Sequence, residues 1–442
     1  MIKEELFMKN RMNYLIVTLC FIVLSGVINA ILFNVALEDM TKDLSVTSSA
    51  ISWIVISYTL VITFGSIAYS KLSSYIQIKK LLMIGVLLFT LGSVIGYLSN
   101  GYIGVLIGRI IQAMGGSSFI ALSMITANQY LPLAKRNVTL TLIGGCLSLG
   151  SGFGFLMGGI LTHIWGWPSL FLFMSLTLLT VFGLYYFVPS GYAGNEKVTK
   201  PFDFSGLFYL LLFVISFILG VKLNGYLLIL SVLSILLLGF HSKKQGILLF
   251  IDFSVFRSYS FNKLILISFI NNAAMVAILF LFPLQAIRTF HVSVILIGFI
   301  LCSISIVGFL ISLLVRKAVH FISNKKLMVI SIGVQLIGFG ILIFLGLHSI
   351  VMITLGVLFI YISFSALTVI INIEIPHTIE KEKMSMGIGV YNLFNFLGMS
   401  FGPSISSRLL EISSNLIFSL SFFAGLLILS FVLSIVKQKS TG

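Results

Sequence analysis

Apolar residues fill this chain in long blocks, and polar residues gather in the short gaps between them. About 20 apolar residues, within a range of about 17 to 25, make a helix long enough to cross a bilayer. Read this way, the blocks at 14–37, 50–70, 81–98, 103–127, 138–162 and 169–188 predict six spans. A polar link, Pro189 to Ser205, follows, and then two shorter blocks at 206–221 and 226–240. Blocks at 264–286, 295–315, 327–347, 350–375, 386–405 and 416–436 predict six more. The pattern therefore predicts an all-α polytopic membrane protein with fourteen spans. It divides into an N-terminal six-helix half over 1–188, a central linker with two additional helices over 189–263, and a C-terminal six-helix half over 264–442. If the two short central blocks do not cross, the count falls to twelve and both termini still share one side.

Composition agrees with that pattern. The 442 residues are 59% hydrophobic and 9% charged, too few charges for the surface of a soluble domain. The net charge of +15 forms no stripe that would suit nucleic acid. Lys and Arg fall instead in alternate links: Lys71, Lys79, Lys80, Lys135, Arg136, Arg316, Lys317, Lys325 and Lys326 share one side, while Lys42, Lys222, Arg288 and Arg408 are left on the other. The positive-inside rule then predicts cytoplasmic N and C termini. The first block is too long for a signal-peptide core and reads as a retained span.

Few residues offer chemistry. Cys20, Cys146 and Cys302 lie far apart inside apolar blocks and read as small core residues. No histidine pair has metal-ligand spacing, no nucleophile–base arrangement suggests an enzyme, and no phosphate-binding loop suggests ATP as a driver. No cofactor is expected.

The exception is the block around Gly108-Arg109-Ile-Ile-Gln112. An ionisable group at membrane depth is costly and marks a functional site by default; the other reading is an arginine snorkelling to the interface. Gln112 shares its helical face at i+3. The next block carries Gly150, Gly152, Gly154, Gly158 and Gly159, a spacing that lets another helix approach closely. Amides inside spans, Asn29, Asn34, Asn271, Asn272, Gln335, Asn392 and Asn395, should face a cavity or a neighbouring helix. Abundant aromatics suit a lining for bulky amphiphiles better than one for sugars or ions.

Taken together, these motifs resemble the major facilitator superfamily, and within it the fourteen-span drug/proton antiporters that include tetracycline and multidrug exporters of Gram-positive bacteria. The resemblance rests on Asn34-Val-Ala-Leu-Glu38-Asp39, Trp53, the link Tyr69-Ser70-Lys71 through Lys79-Lys80, Gly108-Arg109-Ile-Ile-Gln112, and the glycine series. It implies two halves around a midplane site, an inner-gate link at Lys71, Lys79 and Lys80, a proton-coupling role for Arg109 and Gln112, and an antiporter packing motif at Gly150, Gly154, Gly158 and Gly159. It also implies a monomer in the bacterial cell membrane that exports small amphiphilic compounds, with the proton gradient as energy source.

The departures bear on coupling. The family pattern has glycine at Ser70, aspartate at Ser74, proline at Phe155 and, in tetracycline exporters, acids at Ala30 and Ser151. Arg109 and Asp39, both toward the outer side, are expected to form a pair that opens and reforms as a proton or substrate passes. A fold that has lost proton coupling, working as a facilitator or as a non-transporting sensor or immunity protein, is the alternative.

Overall fold

The computed structural model describes residues 2–192, 203–222, 225–242, 251–319, 321–346, 349–413 and 415–436. Much of the central link, 193–202 and 243–250, lies outside the described residues. Among the described residues the fold is helical throughout. The helices are α1 (Ile2–Asp43), α2 (Ser48–Leu72), α3 (Ile78–Leu98), α4 (Tyr102–Gly116), α5 (Phe119–Tyr130), α6 (Leu133–Trp165), α7 (Pro168–Ser175), α8 (Thr180–Phe187), α9 (Phe204–Lys222), α10 (Leu227–His241), α11 (Tyr259–Phe290), α12 (Val294–Ala318), α13 (Asn324–Phe344), α14 (Ile350–Glu374), α15 (Met384–Ile412) and α16 (Leu416–Ile435).

Local chemistry sets the boundaries. Side-chain oxygens of Thr47, Ser258, Ser293, Ser349 and Asn415 accept backbone N–H groups at the starts of α2, α11, α12, α14 and α16. Gly166, at φ +76°, closes α6, and Pro168 opens α7 directly after it. The predicted span at 103–127 is broken into α4 and α5 at Ser117 and Ser118, whose hydroxyls turn back onto the carbonyls of Met114 and Gly115.

Twelve helical segments of the described chain are long and apolar enough to cross a membrane, two fewer than the fourteen predicted. Two predicted spans are not among them. The segment at 226–240 is the 15-residue α10, about 22 Å long at 1.5 Å per residue, against a hydrocarbon core of about 30 Å. The segment at 386–405 belongs to α15, whose 29 residues suffice in length but include asparagines, serines and glycines that lower its hydropathy.

Helices α1–α8 pack largely on one another, and so do α11–α16. The two sets meet along two seams, α6 against α12 and α2 against α15, with α9 lying beside α15 and α2. Between the seams lies the central cavity.

Candidate functional site

The glycine series makes α6 thin on two faces. On one face a Cβ at Gly150 would lie 2.8 Å from Cβ of Val27, one at Gly154 2.8 Å from Ile31, and one at Gly158 2.5 Å from the Leu32 carbonyl. These three hold α6 against α1. Gly159 is not part of the contact: its nearest neighbour is Val35 at 4.0 Å. The other face was not singled out by the sequence. There Gly145 sits on Phe309 and Ser312, and Gly152 on Ser305 and the Leu301 carbonyl of α12. One helix thus carries both an intra-half contact and a seam between the halves.

Arg109 on α4 is fully buried, so it does not snorkel. Its guanidinium lies between two rings, 4.1 Å from the centroid of Phe33 and 4.0 Å from that of Tyr58. Its Nη1 donates to Oε1 of Gln112 at 2.7 Å, and Gln112 in turn donates to Ser93 at 2.7 Å. Nε points at the Ile54 carbonyl, 3.5 Å away, and Nη2 has no hydrogen-bond partner. The close approach that permits this comes from Gly108, where a Cβ would lie 2.8 Å from the Gly96 nitrogen of α3. A desolvated cation over aromatic faces is stabilised by about 2 kcal/mol or more, and here rings, an amide oxygen and a carbonyl stand where a carboxylate counter-ion would usually be.

The expected Asp39–Arg109 pair is not formed. Asp39 is exposed near the end of α1 and is not among the contacts of Arg109. Its neighbours are accounted for differently: Glu38 pairs with Lys42 at 2.8 Å, and Asp43 accepts from Trp167 Nε1 at 2.9 Å. The reason is geometric. The Arg109 side chain turns across α4 toward α1 and α2 at the level of Phe33 and Tyr58, below the last turn of α1.

Seven amides were expected at a cavity or against a neighbouring helix, and the structure brings four of them to the cavity. The cavity has two chambers. The wider, of about 420 Å³, is lined by Asn34, Tyr58, Thr59, Met399, Arg408 and Glu411 among others, and it reaches the surface at the exposed Ser407 and Glu411. The deeper, of about 60 Å³, is lined by Ser151, Asn272, Asn392, Asn395, Phe119 and Phe364 among others. Ala30, Ile31, Ile62, Val276, Phe396 and Met399 belong to both, so the two are continuous and drawn from both halves. Asn272 and Asn395 are linked: Nδ2 of Asn272 donates to Oδ1 of Asn395 at 3.2 Å, which also accepts from Ser268 at 2.5 Å. Asn29, Asn271 and Gln335 are buried away from both chambers. Gln335 sits in a helix–helix contact, its oxygen accepting from Ser363 of α14 at 3.4 Å.

The far end of the cavity is closed. There α15 lies on α2, with a Cβ at Gly389 only 2.7 Å from Cβ of Ser70. The small residue that the family pattern places at position 70 is supplied from the opposite helix, which accommodates the serine. Asn392 Nδ2 lies 3.8 Å from the Met124 sulfur across the halves, and Tyr391 donates to Asn372 at 2.7 Å. The three lysines of the nearby link differ. Lys71 is buried; Lys79 donates to the Tyr185 carbonyl at the end of α8 and lies 4.6 Å over the Tyr185 ring; Lys80 is exposed.

Comparison with known proteins bears on this arrangement. A family model described as Major Facilitator Superfamily matches residues 17–403, and again 264–440. A riboflavin transporter, RibZ, of Clostridioides difficile is 26% identical over 66% of this chain and 65% of its own length. An uncharacterised MFS-type transporter, YfiU, of Bacillus subtilis is 31% identical over 46% of the chain and 38% of its own. The multidrug resistance protein Stp of Mycobacterium tuberculosis is 29% identical over 43% and 34%. The chain thus spans less than two thirds of the length of these relatives. Two solved structures share the fold: the proton:xylose symporter XylE, with TM-score 0.70 and 13% identity over 96% of this chain and 95% of that one, and the human organic anion transporter MFSD10, with TM-score 0.68 and 14% identity over 96% and 97%.

Proposed function

We propose that this chain, which belongs to the Major Facilitator Superfamily, is a secondary active transporter that exports amphiphilic compounds in exchange for protons. It is a transporter fold with many membrane spans, not an enzyme fold. The observation that carries the reading is the two-chambered cavity, walled by both halves, open at one end and closed at the other where Gly389 meets Ser70. A cavity at the interface of two helical halves is where alternating access places its substrate. The predominantly apolar lining with a few amides suits an amphiphile, and relatives named for riboflavin transport and multidrug resistance support that class.

The proposal extends to topology. With α10 and α15 also crossing, the chain has fourteen spans and cytoplasmic termini in a bacterial cell membrane, and works as a monomer. Support for α15 comes from its packing between α2 and α11, with its asparagines turned to the cavity. In that orientation Arg408 and Glu411 lie outside, and the cavity is open outward.

One observation favours a second reading, a facilitator without proton coupling: among the described residues that line the cavity, Glu411 at its mouth is the one carboxylate. Inverted vesicles separate the two. Under an imposed proton gradient, an exchanger accumulates a fluorescent amphiphile against its gradient and releases protons when the compound is added. A facilitator equilibrates the compound and moves no protons.

A further inference from the structure

The cavity's charges are distributed unevenly along its length. Its mouth carries one charge of each sign, Arg408 and Glu411. Below them, every polar side chain of the deeper chamber is uncharged: Ser151, Asn272, Asn392 and Asn395. Arg109 carries a full charge one layer behind the wall. Tyr58 lines the wider chamber with one face of its ring against the guanidinium. The Tyr58 hydroxyl, which faces Asn29, and Arg109 Nη2 are both buried, and Nη2 has no hydrogen-bond partner among the described residues. A Cβ at Gly116, itself a lining residue of the deeper chamber, would lie 3.2 Å from that hydroxyl. The Tyr58 hydroxyl therefore lies just behind the wall of the deeper chamber, while its ring lines the wider one.

We propose that the cavity accepts amphiphiles that carry no positive charge, whether neutral or anionic, and rejects organic cations. The proposal rests on the reading of this cavity as the transport site and adds the sign of the cargo's charge. An organic cation entering the deeper chamber loses its hydration and meets no carboxylate there. It also feels the fixed positive charge of Arg109 through a wall of low dielectric, where like charges repel more strongly than in water. A neutral or anionic head group meets neither penalty, because the chamber's polar groups are the uncharged amides of Asn272, Asn392 and Asn395 and the Ser151 hydroxyl. Its flat apolar body rests on Phe396, Phe364 and Met399. Sign selectivity of this kind arises from penalising the wrong partner as much as from attracting the right one.

The test uses the purified full-length protein and two flat aromatic fluorophores of opposite charge, fluorescein and ethidium, with binding read by fluorescence anisotropy. Fluorescein is expected to bind at least about tenfold more tightly than ethidium, the discrimination that a modest like-charge penalty produces. Met399 lies in both chambers, and Met399→Glu keeps a side chain of similar length while adding a carboxylate. That variant is expected to reverse the order, whereas Met399→Gln preserves it. Ethidium binding as tightly as fluorescein, no binding of either, or an unchanged order in Met399→Glu would each overturn the proposal. Transport failure in vesicles with the binding preference intact would overturn the export reading and leave the charge selectivity standing.

Discussion

Tyr58 forms part of the cavity wall and at the same time lies 4.0 Å beneath the guanidinium of Arg109. The buried charge is thereby coupled to the cargo space through one aromatic ring. Among the described residues it has no carboxylate partner and it lines neither chamber, so its influence passes through the position of Tyr58 and of α2. This makes the shape of the arginine matter as well as its charge.

Arg109→Lys tests that point. The ammonium keeps the charge but cannot stack flat between Phe33 and Tyr58 while bonding Gln112. Transport in vesicles is expected to fall about tenfold or more in both Arg109→Lys and Arg109→Gln, equivalent to about 1.4 kcal/mol of lost function. Full activity in the lysine variant would mean that charge alone suffices.

Asp39→Asn is expected to leave the transport rate and its pH profile within about twofold of the unaltered protein, because an exposed carboxylate is screened by water and salt. A profile shifted along the pH axis would show that Asp39 reaches Arg109 in another state of the cycle.

The two faces of α6 should respond differently to added volume. Gly152→Val drives a side chain into Ser305 and the Leu301 carbonyl, a cost of about 1–3 kcal/mol for overpacking. Gly159→Ala meets its nearest atom at 4.0 Å and should be neutral. Thermal unfolding in detergent is expected to show a lowered Tm for the first and an unchanged one for the second.

The seam at Ser70 and Gly389 must separate if the closed end opens during the cycle. With Ser70→Cys and Gly389→Cys together, the Cβ atoms fall close enough for a disulfide after a shift of about 1 Å. Oxidation is expected to stop transport and reduction to restore it. Continued transport by a fully cross-linked population would place the moving gate elsewhere.

Much of this protein could be read from residue order. Hydrophobic blocks locate spans because in lipid the backbone must satisfy its own hydrogen bonds, so length and hydropathy leave only helices. That logic fails at α10, which is short, and at α15, whose cavity-facing asparagines make it less apolar than the spans around it. Arg109 and Gln112 were legible as neighbours because three residues of helix bring them to one face, and the 2.7 Å hydrogen bond between them uses that spacing.

What sequence could not decide was every relationship between helices. Period and composition do not say which neighbour a buried group meets. So Arg109 met Phe33 and Tyr58 in place of Asp39, three of seven amides turned from the cavity, and Gly152 served the seam between halves. The physical reason is that a helix fixes the direction of its own side chains locally. Which surface lies opposite depends on packing among segments far apart in the chain, and only the folded bundle sets it.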